Sequence, residues 1–461
     1  MKFKPEIFRE YDIRGIVGRD LSVELAEHLG KAVATRALRE GGTSLVVGRD
    51  CRPSGIEFAQ AFMRGVCSTG CDAIDVGVVP TPVVYWAIQN LKAGGGVVIT
   101  GSHNPADYNG FKLTLTGRSL YGDDIQGFRE AMEAEDYLSG EGSTRSADVV
   151  GDYLDELVGN LEPVARKLKV VVDAGNGVGA ITGVPLFERM GCEVIQLFCE
   201  LDGTFPNHHA DPTVEKNLED LRVAVAEHGA DIGVAFDGDA DRIGLIDRDG
   251  EVIWGDKLMI LLSRALLEVE PGAAIIGEVK CSKTLYDDIA AHGGNGIMWK
   301  AGHSLIKSKM KETKAALAGE MSGHIFYKHR YYGFDDAAYA GGRLLEILGK
   351  TESSITELLA DVPTTFSTPE IRQDCPEELK FPLVKQVIAA FAAGAEAGGY
   401  EVVDIDGARV QWSDGWGLVR CSNTQPILVL RFEAQSESRL GEIQAILQAE
   451  IDRQRALLNA G

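Results

Sequence analysis

The run Thr100-Gly101-Ser102-His103-Asn104-Pro105 follows directly on an apolar stretch at 96–99. A serine at a strand-to-loop junction, with a proline three residues on, is expected on an exposed, stiffened turn. His103 is its neighbour, and Tyr108-Asn109-Gly110-Phe111-Lys112 supplies a cation soon after. The G-x-S-x-G elbow of serine hydrolases is absent. A serine beside a histidine and a lysine can instead carry a phosphoryl group, although the stretch alone also reads as a polar turn.

Asp237-Gly238-Asp239-Ala240-Asp241-Arg242 follows a buried-looking strand at 231–236. Three carboxylates at alternate positions converge only if the backbone turns, and without a cation they repel one another. Oxygen-only ligands point to a hard ion, Mg²⁺ or Ca²⁺. An EF-hand is excluded, because Arg242 stands at the required glycine and Arg248 at the required glutamate. A solvated acidic turn is the bland alternative, and Arg242 suits a site that also holds phosphate.

Gly319-Glu320-Met321-Ser322-Gly323-His324, preceded by Lys300-Ala301-Gly302-His303, offers donors and acceptors suited to sugar hydroxyls. Arg420-Cys421-Ser422-Asn423-Thr424-Gln425-Pro426 offers a guanidinium, hydroxyls, an amide and backbone N–H groups that can cradle a phosphate. Either stretch alone is an ordinary polar turn.

Positioning these groups requires a scaffold. Short β-branched runs at 44–47, 169–172 and 274–276 each lead into a glycine-rich turn and then a helical pattern. Strands alternating with helices predict a largely parallel sheet covered on both faces, and the spacing of the three openings hints at an internal triplication. From about Thr364 the pattern changes: a helix at 382–393, turns at Asp406-Gly407 and Asp414-Gly415, a strand at 426–432 and a helix at 437–458. Asp-Gly between apolar runs is a hairpin signal, so this piece reads as a separate α+β unit. The expected domains are 1–148, 149–251, 252–363 and 364–461.

The 461 residues exceed what one compact core organises, and 45% hydrophobic with 25% charged residues is ordinary for a globular protein. A net charge of −23 argues against nucleic acid and anionic membranes as partners. A small anionic ligand would then need a locally basic pocket. The N-terminus lacks an apolar signal region, no stretch is apolar enough to span a bilayer, and eight cysteines are scattered without a CxxC pair. The expectation is a reduced, cytoplasmic enzyme. Nothing here specifies an oligomeric state.

Taken together, Tyr11-Asp12-Ile13-Arg14-Gly15, TGSHNP at 100–105, DGDADR at 237–242, GEMSGH at 319–324 and RCSNTQP at 420–426 resemble the α-D-phosphohexomutase family, most closely its bacterial phosphomannomutase/phosphoglucomutase branch. The likeness runs from Phe8 to Ala434. It implies four domains around a central cleft, three of similar mixed α/β topology and a fourth that is α+β. It implies Ser102 as the phosphoserine, with Asp237, Asp239 and Asp241 holding Mg²⁺ together with an oxygen of the Ser102 phosphate. Glu320 and Ser322 would grip sugar hydroxyls, with Met321, Gly323 and His324 in the same loop. Arg420, Ser422, Asn423 and Thr424 match a distal phosphate clamp; Tyr11, Arg14, Lys112, Lys280 and His303 match other cleft residues.

The reaction so implied moves a phosphoryl group between C1 and C6 of a hexose through a 1,6-bisphosphate that turns end for end, with the bisphosphate also serving as activator. Neutralisation of the equatorial oxygens falls to Mg²⁺, Arg14 and Lys112. Lys112, His103, His303 and His324 are all candidates for the general acid and base. A hinged fourth domain would permit the turn. Phosphoglucosamine mutase is the nearest alternative, but its loop typically resembles G-E-Q-S-G-H where this chain has Met321. A phosphatase discharging Ser102 to water and a sugar-phosphate sensor are the alternatives outside the family's reaction.

Overall fold

The computed structural model describes residues 2–422 and 425–460. Three of its four sheets share one plan. Counting from Ser44–Arg49, Lys169–Asp173 and Ala274–Glu278 as first strands, the plan recurs in each, and the first sheet adds Ile13–Ile16 beside its fourth strand. In each sheet the second strand lies on one side of the first and the third on the other, all parallel, and the fourth runs antiparallel outside the third. The triplication expected from the three openings is therefore real at the level of topology.

Three of the chemical motifs occupy the same place in this plan, the connection from third to fourth strand. TGSHNP joins Gly95–Ile99 to Tyr108–Leu115, DGDADR joins Ile232–Phe236 to Ile243–Asp247, and GEMSGH joins Leu317–Gly319 to Ile325–Tyr327. Each third strand is buried along its whole length, as expected for a strand covered on both faces. A buried strand ends rigidly, so each polar loop begins from a fixed point. One hydrophobic core runs through these three units, from Val46 to Val362.

The fourth unit is an antiparallel sheet from Phe366–Ser367 to Ile427–Ala434, against which Glu377–Gly398 and Glu437–Ala460 pack. It has its own core, including Leu383, Val387, Leu430 and Ile443. The first of these helices corrects the sequence expectation: it starts at Glu377 and runs through Pro382. Pro382 lies on the solvent face, where water can satisfy the carbonyl that proline leaves unpaired. The hairpin at 412–415 is also shifted: Trp412 pairs with Gly415, so Ser413 and Asp414 form the turn and Gly415 opens the next strand. Among the described residues no helix is long and apolar enough to cross a membrane.

Candidate active site

Ser102 is buried directly before His103 and Asn104, which line a cleft of about 690 Å³. It is 2% exposed, which corrects the expectation of an exposed turn; only Pro105, Ala106 and Asp107 at the loop tip are exposed. The cause is Arg52, a residue the motif search passed over. Its buried guanidinium donates to the carbonyl oxygens of Ser102 at 2.9 Å, Asn104 at 2.6 Å, Pro105 at 2.5 Å and Tyr108 at 3.0 Å. Asp50 accepts from Arg52 Nε at 3.1 Å, Thr100 Oγ1 at 2.7 Å and the Gly101 N–H at 3.2 Å. This ion pair folds the loop inward around itself and holds Ser102 at φ 50°, a conformation uncommon outside glycine. The available signal was an arginine two positions after Asp50, just past the end of the strand Ser44–Arg49.

Removing one partner of a fully buried pair leaves an uncompensated charge, at a cost of about 3–5 kcal/mol. Arg52→Met is therefore expected to lose about 3 kcal/mol or more in urea unfolding. Loss below about 1 kcal/mol would contradict this account of the loop.

The Ser102 hydroxyl donates to Asp237 Oδ2 at 3.2 Å and lies 3.1 Å from His103 Nδ1. Gly238 makes this approach feasible: a Cβ there would stand 2.5 Å from the Ser102 carbonyl oxygen. Ala240, at φ 59°, supplies the turn that brings the alternate aspartates together. Asp237, Asp239 and Asp241 are fully buried, with ligand oxygens within 4.8 Å of one another.

Lys112 is not a wall of the cleft. It lies beneath, 4% exposed, donating to Asp239 Oδ2 at 2.6 Å and Asp241 Oδ2 at 2.5 Å. Thr81 donates to Asp239 Oδ2 at 2.5 Å. Among the described residues, the buried Oδ1 atoms of Asp239 and Asp241 have no hydrogen-bond partner. Orphaned carboxylate oxygens beside a third buried carboxylate fit a hard cation, and oxygen donors suit Mg²⁺.

Burial, followed by the charges of Asp239 and Asp241, pushes the Asp237 carboxyl well above its usual range. Burial works against Asp241 as well, but Lys112 and His324 outweigh it and hold that carboxyl low. The Lys112 ammonium is raised: Asp239 and Asp241 overcome its desolvation.

Desolvation, then Arg242, Arg14 and Lys112, push the His103 imidazole well below its ordinary value of 6.5. His103 is consequently neutral at pH 7 in the free protein and able to accept or donate a proton at Nδ1. An NMR titration of the free protein should show His103 still neutral at pH 6.5; half-protonation at or above 6.5 would contradict the assignment.

Most of the remaining sequence-selected residues converge on the same cleft. Arg14 lines one end, donating to Asn104 Oδ1 at 2.8 Å and paired with Asp12. Tyr11 donates to the Ala301 carbonyl at 2.9 Å, and its ring meets that of His303 edge-on with the centroids 5.9 Å apart. Burial lowers His303 well below the usual histidine range. Glu320 accepts from the Gly302 N–H at 2.6 Å, and Met321 and Ser322 line the cleft beside it. His324 Nε2 accepts from Arg242 Nε at 2.9 Å, with Nδ1 3.1 Å from Asp335 on its other side.

Gly323 does not line the wall. It is at φ 92°, and a Cβ would stand 2.2 Å from the Ile243 carbonyl oxygen. That contact, with the Ile243 N–H donating to Gly323 at 3.0 Å, seats the GEMSGH loop against the end of DGDADR.

At the other end Lys280 meets Glu370 at 3.1 Å, and Arg420 donates to Asp406 at 2.9 Å, with Ser422 alongside. Asn423 and Thr424 lie outside the described residues. Arg9, Arg242 and Arg431 also line the cleft. Of these Arg431 had a legible signal, being a charged residue within the buried strand Ile427–Ala434. Arginines and a lysine at both ends of one cleft, in a chain of net charge −23, form the locally basic pocket that an anionic ligand requires.

Four families match the chain in succession, described as phosphoglucomutase/phosphomannomutase alpha/beta/alpha domains I, II and III and the C-terminal domain, over residues 5–139, 151–250, 254–366 and 370–449. A phosphomannomutase/phosphoglucomutase of Pseudomonas putida is 47% identical over 445 residues, 96% of this chain and 95% of that one. A phosphoglucomutase of Neisseria meningitidis is 46% identical over 450 residues, 97% of each. The crystal structure of a phosphoglucomutase/phosphomannomutase family protein from Burkholderia thailandensis superposes with a TM-score of 0.92 at 43% identity, covering 98% of both chains. The chain belongs to the α-D-phosphohexomutase family.

Proposed function

We propose that this enzyme interconverts the 1- and 6-phosphates of glucose and of mannose, with Ser102 carrying the transferred phosphoryl group. The observation that carries the reading is Ser102 Oγ hydrogen-bonded to Asp237 and 3.1 Å from His103, which lines a cleft with cations at both ends, beside two carboxylates whose Oδ1 atoms have no hydrogen-bond partner among the described residues. Asp237, Asp239 and Asp241 would hold Mg²⁺, which when bound supplies a Lewis acid that neutralises charge on the phosphoryl oxygens.

Phosphorylated Ser102 gives its phosphoryl group to the free hydroxyl of a hexose phosphate. The P–Oγ bond breaks, the sugar P–O bond forms, the hydroxyl loses its proton, and Ser102 Oγ regains one. The bisphosphate turns, and Ser102 attacks its other phosphate to restore the phosphoenzyme. Arg14 and Arg242 flank the transfer end, and His103, neutral and 3.1 Å from Ser102 Oγ, is placed to move the serine proton. Glu320 and Ser322 grip hydroxyls in either orientation, and the loop at 420–426 with Lys280 holds the phosphate that is not reacting. The eight free thiols suit a reducing compartment, and we place the enzyme in the cytoplasm.

The test is a coupled assay of glucose 6-phosphate formed from glucose 1-phosphate, Mg²⁺ and a trace of glucose 1,6-bisphosphate, with mannose 1-phosphate run in parallel. Turnover of both sugars is expected. Turnover of glucosamine phosphate alone would overturn the substrate assignment, and release of free phosphate in excess of isomer would overturn the reaction.

A further inference from the structure

A second cation lies behind the loop at 420–426 rather than in the cleft. Lys380, on the helix Glu377–Gly398, is 1% exposed. Its ammonium donates to the carbonyl oxygens of Ser422 at 2.7 Å and Gln425 at 3.1 Å, and meets Glu377 Oε1 at 2.7 Å. An ammonium has three N–H donors, so every proton of Lys380 has an acceptor. Lysine is almost never fully buried unless paired, and here two of its three partners are the backbone carbonyls of Ser422 and Gln425.

Ser422 and Gln425 are also tied by their own hydrogen bonds. The Gln425 N–H donates to Ser422 Oγ at 3.1 Å, and the Ser422 N–H donates to the Ile427 carbonyl at 3.0 Å. Arg420, Ser422 and Gln425 face the cleft, while Lys380 does not. A carbonyl oxygen turned toward the cleft would repel a phosphate; Lys380 draws two of them the other way. Its carboxylate partner is 63% exposed and screened by water, so the positive charge behind Ser422 and Gln425 is only partly offset.

We propose that Lys380 is a positioning residue for phosphate binding, fixing Ser422 and Gln425 from behind and holding their two carbonyls out of the cleft. The proposal rests on the reading of 420–426 as the distal phosphate clamp. In the full-length protein, Lys380→Met is expected to raise KM for glucose 1-phosphate about tenfold while kcat changes less than about threefold. Glu377→Gln, which spares both carbonyl contacts, should leave KM within about twofold.

A merely structural role would instead lower the active fraction, and so kcat, at constant KM; that result would overturn the proposal. Arg420→Ala is measured beside it. A raised KM in Arg420→Ala with an unchanged KM in Lys380→Met overturns the proposal and leaves the clamp standing. An unchanged KM in both removes the clamp reading and the proposal with it. If the methionine variant does not fold, Lys380→Gln takes its place: a KM rise of about threefold or more supports the proposal, and an unchanged KM overturns it.

Discussion

Replacing Ser102 by alanine is expected to lower mutase turnover by at least about 10⁴-fold while leaving the fold and sugar-phosphate affinity in place. The size follows from position. Ser102 Oγ is the hydroxyl that donates to Asp237, and the loop is shaped by the Arg52 contacts to main-chain carbonyls, which an alanine retains. Nothing nearby replaces the oxygen: the Thr100 hydroxyl is committed to Asp50 and that of Thr81 to Asp239. A variant with more than about one hundredth of the wild-type rate would show that another group carries the phosphoryl.

The second large effect concerns the carboxylate cluster. Asp237→Asn is expected to reduce turnover by about 10³-fold or more, the several kcal/mol that a bound metal contributes to transition-state charge stabilisation. The same substitution should stabilise the metal-free protein. The folded Asp237 carboxyl titrates well above its ordinary value of 3.8, chiefly through burial and then through Asp239 and Asp241.

A carboxyl raised in the folded state contributes stability that is present below about pH 4 and lost as pH rises through the folded value. Asparagine does not titrate, and its amide oxygen can still accept from the Asp241 and Arg242 N–H groups that Asp237 Oδ1 now serves. The advantage of the variant therefore opens above about pH 4 and grows toward neutrality. Thermal melts at pH 7 in chelator should place it roughly 2 °C or more above wild type. Added Mg²⁺ should raise the wild-type midpoint and scarcely move the variant. A metal-free variant that melts below wild type would contradict this electrostatic account.

The sequence made the ends of the argument visible and hid its middle. TGSHNP and DGDADR could be read because their chemistry is packed into six consecutive positions each, and three similar strand openings foretold three similar sheets. The equivalence of the three loops was not visible, since it depends on which strands pair and in what direction. Arg52 was hidden for the same reason: it lies 50 positions from Ser102 and meets it only because their strands are neighbours in one sheet. Lys112 was found as a cation near Ser102, but its partners Asp239 and Asp241 come from the second sheet. The helix begins at Glu377, ahead of the expected 382, because Pro382 lies on its solvent face, where a proline within a helix is tolerated.

The central claim, that Ser102 carries a phosphoryl group and returns it to the sugar, is tested most directly by following the phosphorus. The protein would be labelled with ³²P-glucose 1,6-bisphosphate, freed of sugar, mapped by peptide mass spectrometry, and chased with unlabelled glucose 1-phosphate. The account predicts label on Ser102 alone and its recovery in glucose 1,6-bisphosphate on the chase. Label on another residue, or its release as inorganic phosphate without transfer to sugar, would contradict it.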